Sequence, residues 1–110
     1  MISKVVVVGG SGFIGSHVAD YLSDAGYQVT IYDKTKSEWL RNNQEIVIGD
    51  VQDSEKLNQT IAGAEGVYNF AALADINQAL EQPLKTVNIN ILGNLNVLEA
   101  CRIHGVKRFI

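Results

Sequence analysis

A chain of 110 residues, 46% hydrophobic and 19% charged, fits one domain with a packed core and has none of the composition of a disordered segment. A formal charge of −3 and a pI near 5.2, with the lysines and arginines scattered, exclude the basic footprint by which proteins hold nucleic acid or anionic lipid. The single cysteine, Cys101, has no partner for an internal disulfide; beside Leu98 and Ala100 it reads as a small buried hydrophobe in a protein of a reducing compartment.

Met1-Ile2-Ser3-Lys4 and the four valines after it form too short an apolar run for a signal peptide. No stretch of about 18 apolar residues exists to span a bilayer. A cytoplasmic protein without a membrane partner is expected. Val5–Val8, a β-branched run closed by glycines, suits a strand buried on both faces of a parallel sheet. After the glycines, Ile14, Val18, Tyr21, Leu22 and Ala25 form the apolar stripe of a first helix that stops at Gly26.

A second strand covers Val29–Tyr32 and a third Glu45–Ile48, followed by a short helix from about Asp53 to Ala62 and a fourth strand over Gly66–Ala71. The tripeptide Asn58-Gln59-Thr60 matches a glycosylation acceptor but reads as helix surface without an export signal. From about Leu84 to His104 runs a long helix that is apolar nearly all round. At roughly 100° per residue, Val87, Ile91, Leu95 and Leu98 lie on one side and Ile89, Leu92, Ala100 and Ile103 on the other. Such a helix is expected to bury one side on the sheet and the other on a subunit or further protein. Val106–Ile110 opens a fifth strand, and the alternation of strands and helices predicts a parallel sheet with right-handed crossovers.

The chemistry is concentrated in the turn between the first strand and the first helix. Gly10-x-Gly12-x-x-Gly15, overlaid by Gly9-x-x-Gly12-x-x-Gly15, matches the dinucleotide fingerprint. Its glycines serve three needs: an unusual backbone angle in the turn, a missing Cβ where a pyrophosphate meets the main chain, and close packing of helix on strand. The helix N-terminus then aims free N–H groups at the phosphates. Asp33 ends the second strand 21 residues after Gly12, where a carboxylate accepts from the adenine ribose hydroxyls and repels the extra phosphate of NADP. NAD is therefore favoured over NADP, although Lys34 and Lys36 just beyond are able to attract a phosphate.

At this point the sequence resembles the extended short-chain dehydrogenase/reductases, the NAD-dependent nucleotide-sugar epimerases and dehydratases. Four motifs carry the resemblance: Gly9 to His17 (Gly-Gly-Ser-Gly-Phe-Ile-Gly-Ser-His), Gly49-Asp50-Val51, Asn69-Phe70-Ala71-Ala72 and Asn90-Ile91-Leu92-Gly93. The resemblance implies that Gly9, Gly12, Phe13, Ile14 and Gly15 lie against the cofactor and that Asp50 and Val51 meet the adenine. It further implies that Phe70, Ala71 and Ala72 pass beneath ribose and nicotinamide, with Leu73 and Ala74 extending that wall. Lys34 stands beside Asp33 at the ribose, and Ile89, just before the helix asparagine, offers an apolar contact. Asn90 matches the asparagine that supports the proton relay; in an apolar helix it is costly unless hydrogen-bonded. Asn94 departs from the threonine common after the motif glycine.

The family's catalytic Ser or Thr and its Tyr-x-x-x-Lys pair fall after the fifth strand, and this chain ends at Ile110 before them. Its one such spacing, Tyr32 with Lys36, lies on the second strand and is read as coincidence. His17 and His104 have no metal-like partners, and no metal site is expected.

The expected fold is a doubly wound parallel Rossmann sheet in the order 3-2-1-4-5, truncated at the fifth strand, with the cofactor at the switch point between strands one and four. Residues 1–110 are expected to form the N-terminal NAD-binding part of a nucleotide-sugar epimerase or dehydratase, with the catalytic helix and C-terminal substrate domain absent. The resemblance also implies a homodimer through the helix at about 84–104. The alternative is a non-catalytic NAD(P)-sensing or protein-interaction module of the same fold.

Overall fold

The computed structural model describes residues 2–110. Five strands form one parallel sheet: β1 (Lys4–Val8), β2 (Gln28–Asp33), β3 (Gln44–Ile48), β4 (Ala64–Asn69) and β5 (Arg108–Phe109). Their spatial order is β3-β2-β1-β4-β5, the order expected from the sequence. The connections carry α1 (Phe13–Asp24), α2 (Ser54–Ile61), α3 (Ile76–Glu81), α4 (Pro83–Val87), a π-helical turn over Asn88–Gly93, and α5 (Asn94–Ile103).

β1 is central because its side chains alternate between two cores. Val6 and Val8 pack with Tyr32, Leu57, Ile61, Val67 and Val97 on the face covered by α2 and α5. Val5 and Val7 pack with Ala19, Val29 and Ile31 on the face covered by α1. All four valines are almost inaccessible, which explains why β1 shows no polar alternation. Val8 sits opposite Tyr32 on one side and Asn69 on the other, and Asp33 opposite Ile48. This register delivers Gly9, Asp33, Gly49 and Phe70 to the same carboxyl edge of the sheet.

Two expectations about helices need correction. In α1 the buried residues are Gly15, Ser16, Ala19 and Ser23, while Ile14 and Tyr21 point outward at 61% and 78% exposure. The cause is close packing: a Cβ on Gly15 would collide with the Gly9 carbonyl and the Gly10 Cα. The start of the helix therefore lies too near the glycine turn for large side chains and small residues face inward there, while Val18 and Leu22 of the expected stripe pack partly buried against the core.

The long helix runs from Pro83 to Ile103 without a break as α4, the π turn and α5, and α4 has no buried residue. Ile89, Gly93, Val97, Ala100 and Cys101 then face the sheet. Val87, Ile91, Leu95 and Leu98 are exposed as a group, and Leu92 and Ile103, expected beside Ile89, are half-exposed as well. A π turn holds an extra residue, so a helical wheel of fixed period loses phase through Asn88–Gly93.

Tyr32 is fully buried, and its hydroxyl donates to the Asp50 carbonyl oxygen at 2.6 Å. Burial first, then the nearby Asp53 and Asp50 carboxylates, push its pKa up to about 12. A catalytic tyrosine needs the opposite shift, so the pairing of Tyr32 with Lys36 is a coincidence of spacing and the tyrosine is structural.

Gly15→Ala, in spite of alanine's better helix propensity, should lower stability by about 1–3 kcal/mol through overpacking against backbone, measured by urea unfolding. Tyr32 keeps its proton in the fold to higher pH than in the unfolded chain, so its contribution is complete below pH 10 and lost as pH rises through about 12. Tyr32→Phe should cost about 1 kcal/mol at neutral pH, and the stability gap between it and the wild-type chain should narrow above pH 10. A gap constant across that range would contradict the assignment.

Candidate functional site

A cleft of about 470 Å³ opens along the carboxyl edge of the sheet, within the size range of small-molecule sites. Gly9 and Gly12 line it from the turn after β1. Tyr32, Asp33 and Lys34 come from the end of β2, Gly49, Asp50 and Val51 from the end of β3, and Phe70 to Asp75 from the loop after β4. Gln78 of α3, Lys85 of α4 and Ile89 close the rest.

The glycine turn divides its tasks among positions. Gly9 has φ +79°, and a Cβ there would stand 2.7 Å from the Ala71 nitrogen, so this residue fixes how closely the turn meets the end of β4. Gly9 N–H donates to the Tyr32 carbonyl at 2.8 Å and Phe70 N–H to the Val8 carbonyl at 2.7 Å, which locks the turn between β2 and β4. At Gly12 a Cβ would meet nothing nearer than the Gly9 oxygen at 3.5 Å, so this wall is bare backbone facing the cleft. Gly12 is also the N-cap of α1 and supplies no side-chain hydrogen bond to the helix. The first N–H groups of α1, which have no partners inside a helix, are left free for an external acceptor.

Asp33 shapes this turn directly. One carboxylate oxygen accepts from the Ser11 N–H at 3.0 Å and the other from the Thr35 N–H at 3.3 Å. Ser11 adds a second tie, its hydroxyl donating to the Thr35 carbonyl at 2.7 Å. Asp50 accepts from the Gln52 N–H at 2.9 Å and faces the Lys34 ammonium at 3.8 Å. Lys36 lies outside the residues lining the cleft.

The far wall is fastened by asparagines. Asn90 accepts from the Leu73 N–H at 2.7 Å and donates to the Leu73 carbonyl at 3.0 Å, a two-point clamp on the loop after β4. Asn94 accepts from the Asn69 amide at 2.8 Å, and the Asn69 oxygen accepts from the Ala71 N–H at 3.1 Å. Asn96 donates to the Val51 carbonyl at 2.9 Å. A Cβ on Gly93 would reach 2.6 Å from Val51 Cγ2, so the π turn rests on the wall at the Asp50–Val51 end.

The structure thus brings together Gly9, Gly12, Asp33, Lys34, Asp50, Val51, Phe70 to Ala74 and Ile89 around one cleft. Phe13, Ile14 and Gly15 begin α1 beside it without lining it; the Phe13 and Ile14 side chains are exposed, Phe13 stacked edge-on against His17. Sequence reasoning missed Asp75, Gln78 and Lys85. The last had a signal, since Lys85 precedes Ile89 by one helical turn on the same face. No group of side chains suited to a metal ion occurs among the described residues, and no helix among them is long and apolar enough to cross a membrane.

An NAD-sized dinucleotide is compatible with these features. A bare glycine wall and an uncapped helix N-terminus suit a pyrophosphate, and a carboxylate at the end of β2 suits a ribose.

Comparison with known proteins finds relatives that match nearly the whole chain. A dTDP-glucose 4,6-dehydratase of Mycobacterium tuberculosis is 33% identical over 116 residues, which cover 94% of this chain and 34% of that protein. The crystal structure of a UDP-glucose 4-epimerase of Thermotoga maritima with UDP-glucose superposes with a TM-score of 0.91 at 34% identity, over 96% of this chain and 36% of the other. The Brucella ovis UDP-glucose 4-epimerase in complex with NAD superposes with a TM-score of 0.89 at 34% identity, over 97% and 34%. The chain spans about a third of the length of the first curated relatives it matches. The pattern of the NAD dependent epimerase/dehydratase family matches residues 5–110, and the chain belongs to that family.

Proposed function

We propose that these 110 residues are the NAD-binding part of a nucleotide-sugar epimerase or dehydratase. The observation that carries the reading is the convergence of Gly12, the bare N-cap of α1, and Asp33 on one cleft. Asp33 and Asp50 hold the adenosine half, Gly12 and the N–H groups of Phe13, Ile14 and Gly15 take the pyrophosphate, and the wall from Phe70 to Ala74 lies beneath the nicotinamide half. Bound NAD would accept a hydride from a sugar carbon and return it. Asn90, its side chain spent on Leu73, acts here by holding the cleft wall. The substrate class is a nucleotide sugar, supported by relatives named as UDP-glucose 4-epimerases and a dTDP-glucose 4,6-dehydratase.

A second copy of the chain is the proposed occupant of the exposed apolar side of the long helix. Val87, Ile91, Leu95 and Leu98 stand 39% to 56% exposed in a row two to three turns long, an apolar stripe that a neighbouring helix would cover.

NAD should raise the melting temperature progressively, and without levelling off at saturation, as its concentration exceeds its dissociation constant, and NADP at equal concentration should do so less. Asp33→Asn, which keeps an oxygen for the Ser11 N–H, should narrow that difference to less than half. Equal shifts from both nucleotides in the wild-type chain would remove the proposed role of Asp33. The dimer reading expects a two-chain mass by light scattering, reduced to one by Leu95→Glu; a wild-type monomer at high concentration would contradict it.

A further inference from the structure

Every carboxylate lining the cleft already has a partner in the chain, and one cation does not. Asp33 accepts from the Ser11 and Thr35 N–H groups. Asp50 accepts from the Gln52 N–H and faces Lys34. Asp75 caps α3, accepting from the Asn77 N–H at 2.8 Å and the Gln78 N–H at 3.3 Å. Lys85 lines the same cleft, yet among the described residues its ammonium forms no ion pair and donates no hydrogen bond. Lys85 is thus a cleft residue that none of the cleft carboxylates neutralises by an ion pair.

We propose that Lys85 is a binding residue for the pyrophosphate of the dinucleotide, contributed from the lip of the cleft opposite the glycine turn. The sheet separates the two lips. α1, which follows the glycine turn, covers the face of Val5 and Val7, whereas the helix that carries Lys85 leads through Ile89 into the core on the face of Val6 and Val8. A dinucleotide lying along the carboxyl edge between them is flanked by bare backbone N–H groups on one side and by Lys85 on the other. Two negative charges against one uncapped helix end leave room for a cation, and a lysine is a compact point charge that needs no fixed geometry to serve phosphate oxygens. The ring of small residues at Ala71, Ala72 and Ala74 leaves the space between the lips open. Because neither α3 nor α4 buries a side chain, the segment bearing Lys85 is free to adjust to a bound phosphate.

This inference rests on the dinucleotide reading, and its test separates the two. Binding of NAD, adenosine and UDP is measured by calorimetry at low and high salt for the wild-type chain, Lys85→Ala and Lys85→Arg, with melting curves to check the fold. Lys85 is exposed and makes no contact that the fold needs, so both variants should melt like the wild type. Lys85→Ala should weaken NAD about tenfold, leave adenosine unchanged, and flatten the salt dependence of NAD binding, because the screened contact is gone. Lys85→Arg should bind NAD within about threefold of the wild type. Normal NAD binding by Lys85→Ala, or a loss confined to UDP, overturns the role of Lys85 and leaves the dinucleotide site standing. A wild-type chain that binds no NAD overturns both.

Discussion

The contact on which this molecule turns is the approach of Gly9 to the end of β4. At φ +79° the chain leaves β1 so close to Ala71 that no side chain fits between them. Three consequences follow from that one distance. The loop after β4 is held at the level of the glycine turn, so the two form neighbouring walls of one cleft. Helix α1 must begin immediately above the turn, which presses Gly15 onto the Gly9 carbonyl and forces small residues into the helix interface. And the end of β2 is drawn in through the Gly9 N–H to the Tyr32 carbonyl, which places Asp33 beside the turn it then braces. A larger residue at position 9 would move all three walls at once.

The opposite side of the cleft is built on different physics. There the long helix is fixed by amides: Asn90 on the Leu73 main chain, Asn94 on Asn69, and Asn96 on the Val51 carbonyl. Apolar packing resists sliding weakly, because neighbouring methyl groups are interchangeable, whereas a two-point amide clamp has one register. The π turn over Asn88–Gly93 makes the arrangement possible. Its extra residue sets Ile89, Gly93 and Val97 toward the sheet while Asn90 reaches the loop after β4 and Asn94 the last residue of that strand, Asn69. The threonine common after the family's motif glycine is replaced by Asn94 here, and the Asn69 amide is the partner that accommodates it.

Much of this was legible in the sequence because it depends on residue types with few alternatives. Four valines closed by glycines admit little besides a buried parallel strand, and the glycine spacing with Asp33 fixed both the turn and its neighbour strand. The misread parts share a cause. The inward face of α1 is decided by the proximity of Gly15 to the Gly9 carbonyl, a tertiary contact that overrides the larger apolar stripe through Ile14 and Tyr21. In the long helix the constant period grouped Val87, Ile91, Leu95 and Leu98 as they stand, exposed together, and failed for Leu92, which lies in the π turn, and for Ile103. Lys85 escaped notice for a further reason: an exposed lysine in a short helix carries no pattern of its own, and only the cleft it lines gives it meaning.

Asp33 shows how tightly shape and selectivity are joined at such a site. Its carboxylate is both the acceptor that holds the Ser11 N–H in the glycine turn and, in the proposed reading, the acceptor for the adenine ribose. Each oxygen keeps a second lone pair, so the two duties are compatible in one ionised side chain. They are not independently adjustable. Removing the side chain frees the Ser11 N–H and slackens the turn that presents Gly12, so lost affinity after such a change mixes ribose recognition with turn geometry. An amide removes the charge and keeps an acceptor for the Ser11 N–H, but its single oxygen cannot also serve the Thr35 N–H. A preference for NAD over NADP set in this way is anchored to the fold itself, and relaxing it requires a replacement brace for the turn as well as room for a phosphate.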